Sequence, residues 1–288
     1  MLNRRAWLQG AIASLIVGAA RADADPFADA VAALATLEAK AGGRLGVCVL
    51  DPIRGRTLAY RADERFPLTS TFKALAAAAV LARVDAGVEQ LDRRILYSER
   101  DLLSYAPVTK AHVAEGMTLG ELCAAAIDYS DNTTGNLQLE AIGGPAGLTA
   151  YLRTLGDEVS RLDRVEPDLN EAAPGDLRDT TSPRAYAQNL RTLVMGDKLS
   201  QASRAQLEAW LIADKVGDKR LRAGLPADWR IGDKTGSGER GTANTIAILR
   251  PPGRGPLLAG VFFTDADASM DARNDVHRRV AEIIARAF

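Results

Sequence analysis

The pattern of hydrophobic and polar residues divides the chain into a strand-rich start, a long helical middle and a strand-rich end. Apolar residues recur at helical spacing over 27–41. Two short apolar runs, 45–50 and 57–60, follow and are joined by a turn containing Pro52 and Gly55. This order predicts one helix followed by a β-hairpin.

The middle of the chain, from about residue 69 to 212, has mostly helical spacing. Thr118 and Glu121 form the pattern of a capping box, which predicts the start of one helix. Two further helices are predicted over 186–195 and 203–212.

One polar stretch, 161–183, interrupts this region. It has no convincing period and holds three prolines and one glycine. Irregular segments of this length in compact domains are usually functional. We therefore expect a loop at the functional site.

The end of the chain returns to strand-like runs over 229–234, 242–249 and 257–263, followed by a helical pattern over 273–287. Strands at both ends with helices between them favour an α+β fold. The expected arrangement is an antiparallel sheet with a helical insertion, with the terminal helices packed on the sheet.

Composition narrows the range of functions. Of 288 residues, 47% are hydrophobic and 25% charged, as in ordinary soluble globular proteins. The formal net charge is −1, so no basic field points to nucleic acid. Aromatic residues make up only 5% of the chain, which argues against a surface for stacking bases.

The first 22 residues are typical of an export signal. Arg4 and Arg5 precede the apolar run 11–20, and Ala20-Arg21-Ala22 fits a small-x-small cleavage site. The run is too short for a membrane span. The arginine pair favours a twin-arginine signal, with an ordinary secretory signal as the alternative. Both predict a periplasmic protein with no membrane attachment after cleavage.

The cysteines and histidines carry no clear chemistry. An even count of two cysteines in an exported protein allows one disulfide. Cys48 lies in a predicted strand and Cys123 in a predicted helix, so we favour buried free thiols. His112 and His277 lack neighbours at metal-ligand spacing, so we expect packing or surface roles for them and neither a metal nor a cofactor.

Four short motifs carry the candidate chemistry. They are Ser70-Thr71-Phe72-Lys73, Ser130-Asp131-Asn132, Glu166-Pro167-Asp168-Leu169-Asn170 and Lys234-Thr235-Gly236. They offer a hydroxyl nucleophile near a lysine, a hydroxyl-amide turn, a loop carboxylate and a cationic strand. Such a set can perform acyl transfer without histidine, because a serine hydroxyl needs only a neighbouring base.

The spacing within each motif suits a role. Ser70 precedes an Ala/Leu-rich helix, and Lys73 three residues on shares its helix face. Helix N-terminal N–H groups there face developing negative charge. Glu166 and Asn170 are four residues apart, so both can hold one water molecule for hydrolysis.

The segment 236–241 also matches the motif of an unrelated kind of site. Gly236-Ser237-Gly238-Glu239-Arg240-Gly241 matches the dinucleotide fingerprint G-x-G-x-x-G letter for letter. That fingerprint needs a helix after the glycines and an acid about twenty residues on. Here a strand-like run follows, and Val261 stands near the place of the acid. We reject a nucleotide site.

Together, in this order, the motifs resemble those of the class A serine β-lactamases, of the penicillin-recognising serine hydrolase superfamily. The resemblance covers essentially the whole mature chain. It implies a five-stranded antiparallel sheet flanked by helices in one lobe (23–62 and 214–288). An inserted all-helical lobe, 63–213, would include the 161–183 loop.

The resemblance also implies catalytic roles. Ser70 would form an acyl intermediate with a β-lactam substrate, and Ser130 would relay a proton to the leaving nitrogen. Lys73, or Glu166 through a water, would activate Ser70; the two alternatives remain open. Glu166 would then drive deacylation. A cis bond before Pro167 is implied as well.

Further residues would bind the substrate or shape the site. The implied binding residues are Tyr105 at the cleft mouth, Asn132 for the side-chain amide, Asn170 for the water, and Lys234, Thr235 and Ser237 for the carboxylate. Backbone N–H groups of Ser70 and Ser237 would form the oxyanion hole. An Arg164–Asp179 pair would close the neck of the loop.

The chain departs from the family pattern at several positions, two of which bear on substrates. Many members carry an arginine where this chain has Ala243, and Arg220 resembles the substitute in other members. We expect Arg220→Ala to lower kcat/KM while thermal stability stays nearly unchanged. Some carbapenem-hydrolysing members join two cysteines at positions held here by Thr69 and Gly238, so we expect weak carbapenem hydrolysis.

The expected function is hydrolysis of penicillins and cephalosporins, which confers antibiotic resistance, by a monomer. One alternative is a D,D-peptidase or other penicillin-binding protein, which would lack a dedicated deacylation loop. The other is a β-lactam sensor whose acyl-serine persists. Glu166 with Asn170 favours the hydrolase.

Overall fold

The structure, a computed structural model, describes residues 27–288, so the predicted signal segment 1–22 lies outside the described residues. The helices are α1 (Ala28–Ala41), α2 (Phe72–Asp85), α3 (Leu119–Asp128), α4 (Asn132–Ala141), α5 (Gly144–Thr154), α6 (Pro183–Met195), α7 (Gln201–Ile212), α8 (Leu221–Gly224) and α9 (Met270–Ala287). The strands are β1 (Arg44–Asp51), β2 (Arg56–Tyr60), β3 (Phe66–Pro67), β4 (Arg94–Ile95), β5 (Met117–Thr118), β6 (Thr180–Thr181), β7 (Arg230–Ser237), β8 (Ala243–Arg250) and β9 (Leu257–Thr264).

The main sheet has five antiparallel strands in the order β2-β1-β9-β8-β7. β1 and β2 form the predicted hairpin. The predicted α+β class and five-stranded antiparallel sheet are confirmed. The two edge positions belong to β2 and to β7, which carries Lys234 and Thr235.

Both faces of this sheet are buried, and each face belongs to one of the two larger hydrophobic cores. Val47 and Val49 of β1 belong to a core with α1 and α9. Cys48 and Leu50, on the opposite face, belong to the core formed with the helical middle of the chain. This division follows from the two-residue period of a strand. The predicted packing of the terminal helices on the sheet is confirmed.

Helix α2 crosses the centre of the helical region. Every residue from Phe72 to Leu81 is buried. The Ala/Leu-rich sequence lacks a polar face, and such helices are covered on all sides. Burial of α2 fixes the position of the residues just before it, including Ser70.

Side-chain caps set several of the helix starts. Thr118 and Glu121 form the predicted capping box of α3. Helix α6 begins at Pro183, before the predicted residue 186, because the Ser182 side chain accepts the Ala185 N–H. Pro183 fits the first helical position, where no N–H is needed.

The 161–183 segment is irregular, as predicted, with one short 3₁₀ turn at Asp168–Asn170. Its neck is closed by Arg164, whose Nε lies 2.6 Å from Oδ2 of the buried Asp179. Asp179 Oδ1 also accepts the Arg164 N–H at 2.9 Å. The Glu166–Pro167 peptide bond is cis. The expected ion pair and cis bond are therefore both present.

The cysteines are free and buried, as favoured from the sequence. His277 is buried, with Nε2 2.9 Å from the Ala243 carbonyl oxygen, whereas His112 is a surface residue 2.8 Å from Glu115. Within residues 27–288, none of the helices combines the length and apolar character that crossing a membrane requires.

Candidate active site

The predicted nucleophile lies in a tight turn just before α2. Ser70 belongs to a 3₁₀ turn, Thr69–Thr71, which leads directly into α2 at Phe72, so Ser70 precedes the Ala/Leu-rich helix as expected. Thr69 has a φ of 46°. A Cβ atom at Gly236 would lie 2.1 Å from the Thr69 hydroxyl oxygen, so only glycine lets β7 approach this turn.

Lys73 is fully buried and holds four site groups together. Its Nζ donates to Ser70 Oγ at 2.9 Å, to the Ser130 carbonyl at 2.9 Å and to Asn132 Oδ1 at 2.7 Å. It also lies 3.1 Å from Glu166 Oε1. Burial lowers the pKa of Lys73, and the nearby Glu166 partly opposes that shift. A lowered pKa suits a proton acceptor.

Glu166 is buried against the nucleophile. Ser70 Oγ donates to Glu166 Oε1 at 3.1 Å, and Asn170 Nδ2 donates to Oε2. The backbone of Glu166 is fixed by Asn136: the Glu166 N–H donates to Asn136 Oδ1 at 2.9 Å, and Asn136 Nδ2 donates to the Glu166 carbonyl at 3.0 Å. The carboxylate is therefore held at both its backbone and its side chain.

The Ser130-Asp131-Asn132 motif is a turn held by its buried aspartate. Asp131 caps α4 by accepting the Thr134 N–H at 3.0 Å, and its other oxygen accepts the Thr109 N–H at 3.0 Å. Ser130 has a φ of 58°. This backbone places Ser130 Oγ 2.9 Å from Lys234 Nζ, which donates to it.

Lys234 is the second fully buried lysine. Its Nζ also donates to the Thr235 carbonyl at 2.8 Å. Burial lowers the pKa of Lys234 to about 7, and the negative charge of Asp214 opposes the shift. Two buried lysine amines therefore flank Ser130: Lys73 donates to its backbone carbonyl and Lys234 to its hydroxyl.

A cavity of about 380 Å³ opens above these groups. Its lining includes the predicted residues Ser70, Tyr105, Ser130, Asn132, Asn170, Arg220, Thr235 and Ser237. Tyr105 is 47% exposed at the mouth, where its hydroxyl donates to the Tyr129 carbonyl at 3.2 Å. The remaining predicted residues, Lys73, Glu166 and Lys234, lie buried behind the lining and bond to it.

Arg220 is buried and makes hydrogen bonds within the protein that the sequence did not predict. It is only 5% exposed, and its Nη1 donates to the carbonyls of Gly236 at 2.8 Å and Asn244 at 2.6 Å. Nη2 donates to Ser237 Oγ at 2.7 Å, and Nε to Asn274 Oδ1 at 3.0 Å. This burial argues against the expectation that Arg220→Ala leaves thermal stability nearly unchanged, because the substitution would remove a donor from two carbonyl oxygens.

Three asparagines that organise the site were not singled out from the sequence. Asn136 fixes the Glu166 backbone, and Asn274 orients Arg220. Asn244 Nδ2 donates to Thr69 Oγ1 at 3.0 Å and to the Pro67 carbonyl at 2.8 Å, which ties β8 to the nucleophile turn. Only Asn136 had a usable signal, because it lies one helical turn after Asn132.

Comparison with known proteins agrees with this geometry. A family profile described as the beta-lactamase enzyme family matches residues 26–288. The class A β-lactamase of the last common ancestor of Gram-negative bacteria is 63% identical. Its structure superposes with a TM-score of 0.90, and the match covers 91% of this chain and 100% of that one. The chain belongs to the class A β-lactamase family.

A second class A structure gives the same result. A protein from Rhodopseudomonas palustris described as the class A β-lactamase PenP is 56% identical, with a TM-score of 0.89. The match covers 90% of this chain and all of that one, 100%. In the present chain, no group of three or more His, Cys, Asp or Glu side chains within residues 27–288 is placed to hold a metal ion.

Proposed function

We propose that the protein hydrolyses the β-lactam amide bond of penicillins and cephalosporins through an acyl intermediate on Ser70, and so confers antibiotic resistance. The observation that carries this proposal is the buried Glu166 carboxylate, 3.1 Å from Ser70 Oγ and held by Asn170. A base fixed beside the nucleophile is what hydrolysis of an acyl-enzyme requires.

Acylation would begin with loss of the Ser70 proton. Lys73 Nζ, 2.9 Å from Ser70 Oγ, can accept it when neutral, and its lowered pKa favours that form. Glu166 acting through a water is the alternative route. Ser130 lies between the two buried lysines and would pass a proton to the leaving nitrogen. Backbone N–H groups of Ser70 and Ser237 would stabilise the oxyanion.

Deacylation would use the pair Glu166 and Asn170. The Oε1 atom that faces Ser70 can accept a proton from a water positioned against the acyl carbon. Asn170 Oδ1 is buried and has no hydrogen-bond partner among the described residues. It is therefore available to accept a second hydrogen bond from that water.

Substrate binding would follow from the hydrogen bonds already made. Asn132 Oδ1 accepts from Lys73, so its Nδ2 remains to donate to the carbonyl of a substrate side-chain amide. Ser237 Oγ accepts from Arg220, so its own proton can be donated to the substrate carboxylate. Lys234 and Thr235 would add charge and a hydroxyl, and Tyr105 would form the wall of the cleft mouth.

A steady-state assay with a chromogenic cephalosporin tests the proposal. Continuous turnover by the purified protein supports the hydrolase. A single stoichiometric burst would instead support the D,D-peptidase or sensor alternative, in which the acyl-serine persists. The Glu166–Asn170 arrangement favours continuous turnover.

Arg220→Ala is expected to lower kcat/KM for benzylpenicillin roughly 10- to 100-fold, because charge-assisted hydrogen bonds contribute about 1.5–3 kcal/mol. It should also lower the melting temperature, since two buried carbonyls lose their donor. Ser237→Ala, which removes only the hydroxyl between Arg220 and substrate, is the matched variant and should reduce kcat/KM with little loss of stability. Full efficiency of Arg220→Ala would place the carboxylate site elsewhere.

Adding Ala243→Arg to the Arg220→Ala variant should restore part of the lost kcat/KM. Ala243 lies opposite Ser237 in the β7–β8 ladder, so the new guanidinium would start beside the same hydroxyl. Steady-state kinetics of the single and double variants check this expectation. An unchanged double variant would contradict it.

Imipenem turnover is expected to be far slower than turnover of penicillins or early cephalosporins. A Cβ atom at Gly238 would lie 2.9 Å from Thr69 Cγ2, so the two positions face each other without a covalent link. Ultraviolet assays with imipenem and benzylpenicillin on one preparation provide the comparison. Rapid imipenem hydrolysis would contradict the inference.

We propose that the mature enzyme is an exported periplasmic monomer with two lobes, 23–62 with 214–288 and 63–213. The apolar run after two arginines supports export, and the sheet strands of 44–60 and 230–264 support the lobe division. N-terminal sequencing of the periplasmic protein and its sedimentation velocity test the first two points.

A further inference from the structure

Two buried carboxylates meet behind Lys234. Asp214, just after α7, is 3% exposed, and Asp233 of β7 is fully buried. A Cβ atom at Gly217 would lie 2.6 Å from Asp214 Oδ2 and 2.3 Å from Asp233 Oδ2. Since both Oδ2 atoms lie this close to the same position, the distance between them is at most about 5 Å.

The other oxygen of each carboxylate is occupied. Asp214 Oδ1 accepts the Val216 N–H at 2.9 Å, and Asp233 Oδ1 accepts from Arg222 Nε at 2.6 Å. The two Oδ2 atoms are buried and have no hydrogen-bond partner among the described residues. A buried acceptor left unpaired costs about 1–3 kcal/mol, and more when charged.

The charged groups around the pair come from several elements. Asp233 faces Asp214, Arg222 of α8 and Lys234. Asp214 faces Lys234, Arg222 and Asp218, and it also interacts with Asp128 of α3 and with Arg220. Lys234 itself interacts with both carboxylates and with the cations Lys73 and Arg220. Among residues 27–288, no carboxylate lies within ion-pair distance of Lys234 Nζ, so its charge depends on these longer interactions.

Two facing carboxylate oxygens repel each other when both groups are ionised, and one of two such acids then keeps its proton. A single proton between the Oδ2 atoms would satisfy both unpartnered acceptors with one hydrogen bond. We propose that Asp214 and Asp233 share one proton at neutral pH and thereby place a single negative charge behind Lys234. The pair acts through Lys234 and is a positioning pair; this functional part rests on the function proposed above.

The single charge has a consequence for Lys234. Burial and the charge of Asp214 raise the pKa of Asp233 to about 7, and burial raises that of Asp214. One remaining negative charge opposes the lowering of the Lys234 pKa and so favours the protonated form that binds the substrate carboxylate. Loss of that charge would lower the pKa of Lys234 further, by about one unit.

The shared proton also predicts how stability changes with pH. Between the unfolded carboxyl pKa, about 4, and the folded value, the native state binds more protons than the unfolded state. Stability therefore falls as pH rises through about 4 to 7. In Asp233→Asn no proton is shared, so the shared proton no longer contributes to the loss of stability between about pH 4 and 7.

Infrared spectroscopy of the wild-type protein at pH 6.5, below the pKa of about 7 for Asp233, tests the pair directly. The expected result is the carbonyl stretch of a protonated carboxyl group, absent from Asp233→Asn and from Asp214→Asn. Asp128→Asn is the matched control. Asp128 also has a buried oxygen without a partner and interacts with Asp214 and Lys234, but its pKa is raised only to about 6. This variant removes a neighbouring charge and keeps both acids of the pair, so it should keep most of the band. A wild-type protein without the band would overturn the proposal.

Thermal melts between pH 4.5 and 8 provide a second measurement. The wild type should lose melting temperature across this range more steeply than Asp233→Asn or Asp214→Asn; equal slopes would contradict a shared proton. Neither the spectra nor the melts require enzymatic activity, so their failure is distinct from failure of the proposed function.

The functional part is tested by the double variant Asp214→Asn/Asp233→Asn, which keeps the shape and removes the charge. KM for benzylpenicillin should begin to rise about one pH unit lower than in wild type, whereas each single variant, which retains one charge, should shift less. A benzylpenicillin ester, which lacks the carboxylate, should show no shift. An equal shift for the ester, or none for the acid, would overturn the link to Lys234.

Discussion

Replacing Ser70 with alanine is expected to abolish both β-lactam hydrolysis and covalent labelling by penicillin. Ser70 Oγ is the hydroxyl that contacts both candidate bases, Lys73 at 2.9 Å and Glu166 at 3.1 Å. Loss of the nucleophile in serine hydrolases lowers kcat by about 10⁶-fold. We therefore expect turnover at the limit of detection.

The fold of this variant should survive. Alanine fits the space of the serine, and Lys73 and Glu166 remain 3.1 Å apart as an ion pair. Circular dichroism and a melting curve check this point before kinetics are interpreted. Inactivity of the folded variant then reports on chemistry.

Intact-mass spectrometry after penicillin treatment distinguishes the nucleophile from its neighbour. Ser70→Ala should show no added mass. Ser130→Ala keeps the Ser70 hydroxyl and should still gain the mass of one penicillin, although more slowly. Labelling of Ser70→Ala would mean that the nucleophile has been misassigned. A Ser130→Ala variant that keeps full activity but is not labelled would mean the same.

The elements of the fold follow closely from local sequence patterns. The hairpin of β1 and β2, the three C-terminal strands and the Thr118 cap of α3 were predictable from period and capping chemistry. The first residues of helices were less predictable. Helices α6 and α9 begin at Pro183 and Met270 because the preceding serine caps each helix, and apolar spacing does not show this.

The site was predictable only as a set of motifs. Spacing places Lys73 near Ser70, but no local pattern brings Glu166 or Lys234 to them. These contacts span 96 residues in the case of Ser70 and Glu166, and depend on how α2, the loop and β7 pack. The family resemblance supplied that information.

Supporting groups were the least predictable part. Asn274 and Asn244 act through side-chain bonds to Arg220 and Thr69, on elements far apart in sequence. The burial of Arg220 was missed for the same reason, since its bonds reach the carbonyl oxygens of Gly236 and Asn244 on distant strands. The paired acids Asp214 and Asp233 lie on separate elements and both approach Gly217, a contact that no local sequence pattern predicts.

Glu166→Ala is expected to convert the enzyme into one that is acylated but does not turn over. Deacylation loses its base, so steady-state kcat should fall by at least about 10²–10⁴-fold, the usual contribution of a general base. Penicillin treatment should therefore yield a stable acyl-enzyme on Ser70, seen as a persistent mass increase.

Acylation should survive this change because of Lys73. The Glu166 carboxylate, 3.1 Å from Lys73 Nζ, raises the pKa of that buried amine. Its removal therefore lowers the pKa and increases the neutral fraction, which can accept the Ser70 proton. If Glu166 acting through a water were the required acylation base, the variant would remain unlabelled. The labelling rate thus separates the two alternatives for acylation.

Asp168→Ala is the matched control for this prediction. Asp168 is an exposed acid two residues along the same loop, so its removal changes the local charge without touching the site. Rapid-quench mass spectrometry and steady-state kinetics on both variants separate acylation from turnover. Only Glu166→Ala should accumulate acyl-enzyme. Turnover of Glu166→Ala at the wild-type rate would make its carboxylate a structural group, and the hydrolytic water would then need another base.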